Sequence, residues 1–141
     1  MRKWIAFLSV VSLITSFLPL PVLAETEVDY NYLLGDDELT DMTAMDFETL
    51  EAFLTRGFLT DYETEDVNGH LESAAQVIWD SAQAFDLNPQ FLLTMLQKEQ
   101  SLVEDPDPSQ DQLAWAMGYA VCDDCSKSDP LIQKYKGFCN Q

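Results

Sequence analysis

The apolar positions of this chain fall into helical rhythms and leave little room for strands. Leu71, Ala74, Ala75, Ile78, Ala82 and Phe85 recur at spacings of three and four, which predicts one amphipathic helix from Leu71 to Phe85. Phe47, Leu50, Phe53 and Leu54 repeat the pattern over a shorter length, so Asp46 to Arg56 reads as a short helix with Gly57 as its stop. In "NPQFLLTMLQKEQSLVEDP", Asn88 is an N-cap and Pro89 stands at the first helical position, where its missing N–H costs nothing. That helix is expected to run to about Val103 and to stop before Pro106. Ser109 and Gln112 predict a capping box for a further short helix ending near Gly118. Residues 61–69 are polar and read as a linker. Asp66, Asn68 and Gly69 suggest a turn rather than a calcium loop, because the twelve-residue ligand pattern is missing. No strand is expected, and the fold class is mainly α.

The first 24 residues read as a separate object. Arg2 and Lys3 precede an apolar run of about 15 residues, shorter than the ~20 a spanning helix needs, and Val22-Leu23-Ala24 offers small residues for cleavage. This is the pattern of a signal peptide, so no stable membrane anchor is expected after cleavage, and the protein is expected to be exported, to the extracellular space, cell wall or periplasm. Residues 25–69 read as an acidic leader carrying the short helix, and 70–141 as the main domain. All 25 Asp and Glu follow residue 24, against five Lys and Arg there, which gives 5 − 25 = −20 for that part of the chain. Such a charge argues against nucleic acid and anionic membranes as partners.

Three cysteines, Cys122, Cys125 and Cys139, are disulfide candidates. The Cys122-Asp-Asp-Cys125 spacing fits a tight structural bridge, a redox pair or half a zinc site. No strand–helix pattern precedes it, and a fourth zinc ligand is lacking at useful spacing, so a bridge with one thiol left over ranks first. Neither a metal nor a cofactor is expected.

Glu99 is the candidate for chemistry. It stands four residues from Met95 and Val103 and three from Leu96 and Leu102, inside the expected apolar face that also carries Leu92. Lys98, one residue away, is not expected to face it. Burial penalises the charged form of a carboxyl, and a carboxyl holding its proton near neutral pH is a general acid. The alternative is a rim residue that reaches water or pairs with a lysine.

Read together, "AAQVIWDSAQAFDLNPQFLLTMLQKEQSLVED", "AMGYAVCDDC" and "KGFCNQ" resemble the lysozyme-like lytic transglycosylase superfamily, in an exported bacterial branch with a Leu-Gln-Lys-Glu-Gln motif. The segment "LTDMTAMDFETLEAFLTRGFL" is similar to the leader helix of that branch. The resemblance covers Ala74 to the end. It implies peptidoglycan glycan strands as partner, cleavage of the β-1,4 MurNAc–GlcNAc bond, and Glu99 as catalytic acid and base. It also implies that Ala116-Met117-Gly118-Tyr119 borders the cleft, with Met117, Gly118 and Tyr119 contacting substrate, and Trp79 and Trp115 in core or cleft wall. Two departures stand out. Glu99 is followed by Gln100-Ser101 where the family usually has Ser-Gly, and family domains usually continue well past the second motif, so against the family pattern this chain reads either as a fragment or as a domain with an incomplete cleft. Asp105, Asp107 and Asp111 are the conceivable second carboxylates of a hydrolase; loop solvation and capping are their plainer roles. Two other readings use the same residues: a non-catalytic wall-binding module on this fold, and an exported helical interaction domain that shares only the patterning.

Overall fold

Helix initiation in this protein is chemical before it is hydrophobic. In the computed structural model, which describes residues 32–122 and 124–141, five side chains take up the first free N–H groups of their helices, Asp129 among them through Leu131 N at 2.8 Å. Asp46 accepts from Thr49 N at 2.8 Å and starts α2 (Phe47–Leu54). Ser73 accepts from Gln76 N at 3.1 Å and starts α3 (Ala74–Ala84). Asn88 accepts from Gln90 N at 2.8 Å and starts α4 (Pro89–Gln100). Ser109 and Gln112 form the expected capping box of α5 (Gln110–Ala114). Hydrogen bonds from the Thr49 side chain and, after it, from the Thr49 backbone N–H hold the Asp46 carboxyl below its ordinary range. Two single-turn helices complete the set, α1 (Asp36–Leu39) and α6 (Pro130–Gln133). The protein is mainly α, as its periodicity implies.

The structure departs from the pattern reading in several places. Residues 71–73 are a strand rather than the first turn of a helix. β1 (Glu63–Glu65) and β2 (Leu71–Ser73) pair antiparallel, with Thr64 opposite Glu72. Asp66 closes the hairpin: its Oδ1 accepts from Asn68 N at 2.8 Å and His70 N at 2.7 Å, the turn anticipated at this segment. Leu71 and Phe85, assigned by spacing to the buried stripe, are 65% and 73% exposed, because each lies outside the helix that would have turned it inward. Within the acidic stretch before Asp46, α1 forms where no regular structure is expected; Gly35 N donates to Glu38 at 2.9 Å.

Leu50, Leu54, Leu59, Ile78, Leu93, Leu96, Leu102, Val103 and Leu113 form one core. Residues of α2 therefore share a core with α3 and α4, and Leu34–Gln141 is a single compact unit. The signal peptide expected at 1–24 and residues 25–31 lie outside the described residues. No helix among the described residues is long and apolar enough to cross a membrane.

Candidate functional site

Glu99 occupies the last turn of α4, and the way that helix ends sets its surroundings. Ser101 adopts φ +60°, a left-handed cap that turns the chain out of the helix two residues after Glu99. Its N–H reaches Gln97 O at 2.9 Å, and Leu102 N reaches Leu96 O at 3.3 Å. Leu102 and Val103 are buried from the loop beyond, not from the helix face on which spacing placed them. The face that enters the core carries Pro89, Leu93 and Leu96; Leu92 and Met95 are half-buried. Glu99, turned by ~60° from Leu96 on a helix of 3.6 residues per turn, sits at the edge of that face with its side chain 30% exposed.

One oxygen of Glu99 meets a cation. Lys98 Nζ lies 2.5 Å from Oε1, correcting the expectation that lysine one residue away points elsewhere. The other oxygen meets Gly118. A Cβ built on Gly118 would lie 3.2 Å from Oε2, and Gly118 has φ +68°. The backbone conformation favours glycine there, and an added Cβ would make a tight contact to which the end of the Glu99 side chain must give by a few tenths of an ångström. Gly118→Ala is expected to lower stability by about 1–2 kcal/mol for the left-handed conformation, with chemical denaturation as the readout; unchanged stability would show that the backbone at 118 relaxes freely.

What brings Gly118 to Glu99 is a short relay. Gln112 Nε2 donates to Gln100 O at 3.0 Å and to Asp105 Oδ2 at 3.1 Å, fastening α5 to the end of α4. Trp115, 1% exposed, follows α5, and its carbonyl accepts from Gly118 N at 3.0 Å. Tyr119 is exposed, donates its N–H to Gln141 Oε1 at 3.0 Å, and packs edge-on against Tyr135 with ring centres 5.1 Å apart. Met117 is half-buried and lines a groove of about 390 Å³ with Leu92, Leu96, Phe85 and Phe138. A second groove, of about 580 Å³, has Lys98, Met45, Phe53 and Leu93 on its walls. Glu99 lines neither; Lys98, which pairs with it, and Met117, which precedes Gly118 in the chain, border one each.

The other candidates lie elsewhere. Asp105 Oδ1 accepts from Asp107 N at 3.0 Å, and Asp111 pairs with Lys127 at 2.5 Å. Trp79 packs edge-on against Phe47. Cys122 and Cys125 form a disulfide, and Cys139 is free. Burial pushes the Cys139 thiol up, and the Glu72 and Asp66 carboxylates add to it, so the thiol stays protonated at neutral pH. Asn140, for which spacing offers no role, anchors the C-terminal turn through Lys136 O at 2.9 Å. Among the described residues no group of three His, Cys, Asp or Glu is placed to hold a metal ion. Lys98 was the residue that pattern reading missed, because helix spacing argues against it.

Residues 55–124 match the family profile described as the LasA N-terminal domain. The match spans both the Glu99 and the Gly118 motifs. No curated protein and no solved structure matches the chain.

Proposed function

We propose that this is an exported protein that cleaves peptidoglycan glycan strands at the β-1,4 MurNAc–GlcNAc bond, with Glu99 as general acid and then base. The similarity to the LasA N-terminal domain supports a setting at the cell wall. The observation that carries the catalytic reading is the approach of Glu99 to Gly118, two motifs 19 residues apart meeting at one carboxylate oxygen.

Protonated Glu99 would donate to the glycosidic oxygen as the bond to C1 breaks. The resulting carboxylate would then take the proton of the muramyl C6 hydroxyl, whose oxygen closes a 1,6-anhydro ring on C1. A single carboxylate suffices because the sugar supplies the nucleophile. A hydrolase with two carboxylates needs its second at about 5–5.5 Å for retention or about 6.5–9.5 Å for inversion, and Asp105 and Asp111 are engaged with partners of their own. Gly118 would admit the glycan backbone closely, while Met117 and Tyr119 would offer it apolar and stacking surface. The test is the chemistry of the ends released from purified peptidoglycan: anhydro-muramyl ends are expected, reducing ends would mean hydrolysis, and no release would remove the enzyme reading. The Lys98–Glu99 pair favours a second reading, a wall-binding module whose carboxylate does no chemistry.

A further inference from the structure

We propose that Lys98 determines substrate choice at this site by exchanging Glu99 for a carboxylate carried on the glycan; the proposal rests on the glycan-binding part of the reading above. Successive side chains on a helix do not face each other, so helix geometry does not impose the contact at 2.5 Å between Lys98 Nζ and Glu99 Oε1. The lysine stem folds across to make it. With the Lys98 side chain 68% exposed, the ammonium remains within reach of solvent and of a second anion.

Charge makes the exchange useful. The chain carries a formal net charge of −18, which repels an anionic polymer unless a local cation compensates. Three other cations among the described residues are committed away from Glu99: Arg56 lies 3.7 Å over the Phe53 ring, Lys127 pairs with Asp111, and Lys134 sits 4.6 Å over the Tyr135 ring. Lys98 both touches the candidate acid and borders the groove of about 580 Å³ beside α2 and α4. A substituent ending in a carboxylate, such as the lactyl group of muramic acid, can lie in that groove with its charge on the ammonium. Glu104, the groove's own carboxylate, accepts from Gln97 Nε2 at 3.5 Å. Taking up the substrate anion frees Glu99 Oε1 for the glycosidic bond. A neutral glycan leaves the pair closed.

Equilibrium titration at low salt with two probes of equal length, both thio-linked so that they are not cleaved, tests this: an alternating MurNAc–GlcNAc oligosaccharide with free lactyl carboxylates, and a neutral chito-oligosaccharide. The native protein is expected to bind the anionic probe about tenfold more tightly, as a charge-assisted contact implies. In Lys98→Met that ratio falls to about one, and in Lys98→Arg it is kept. Equal affinities in the native protein, or a ratio unchanged in Lys98→Met, would overturn the proposal. Affinity is read without turnover, so an intact ratio in a protein that releases no glycan ends supports the role of Lys98 while removing the catalytic reading.

Discussion

Glu99→Gln is expected to slow release of muropeptides from purified peptidoglycan by about 10³-fold, within the range for loss of one general acid–base group. The amide keeps the shape of the carboxyl and its approach to Gly118, but it neither donates the proton to the leaving oxygen nor accepts it back from the C6 hydroxyl. Because the Glu99 side chain is 30% exposed and paired with a solvent-facing lysine, little stability rests on it. The melting temperature of the variant should therefore stay close to that of the native protein. Chromatography of the released muropeptides, run beside a thermal melt, separates the two effects. A variant that retains its rate within a few-fold would show that the carboxyl does not do the chemistry.

The second large effect concerns stability. Trp115→Ala is expected to cost about 3–5 kcal/mol, the usual range for truncating a buried aromatic. Trp115 is among the largest fully buried side chains, and its carbonyl holds the Gly118 amide at 3.0 Å. A small domain is stable by only about 5–15 kcal/mol, so the substitution removes a large part of the total and loosens the strand of chain that carries Gly118. Denaturant unfolding measures the loss. A cost below ~1 kcal/mol would mean that the cavity refills. Trp115→Phe, which keeps most of the apolar volume, should recover much of the stability.

How much of this was legible beforehand follows from the range of the forces involved. Caps are local: Asn88, Ser109 and Asp46 each satisfy an N–H within three residues, so helix starts could be read directly. Helix ends were less legible. Ser101 takes a left-handed conformation that usually announces itself through glycine, and α4 was read three residues too long in consequence. The hairpin was invisible because its strands, Glu-Thr-Glu and Leu-Glu-Ser, carry no apolar alternation; tertiary pairing makes them, including the Ala74 N–H donated to Tyr62 O at 2.9 Å. Glu99 could be singled out as a carboxylate beside apolar neighbours. Its depth could not, since that depended on where the helix stopped. Resemblance alone put Gly118 at the border of a cleft, and its approach to Oε2 could not be read, since no spacing rule links residues 19 apart across a helix end and a loop.

The proposed site stands or falls with where a glycan strand rests on this surface. Amide chemical shifts of isotope-labelled Glu99→Gln, which should hold the substrate uncut, would locate it on titration with a MurNAc–GlcNAc oligosaccharide. The largest shifts are expected at Met117, Gly118 and Tyr119 and in the last turn of α4. Saturable shifts confined to surfaces away from Gly118, or none at all, would contradict a glycan-cleaving site at Glu99.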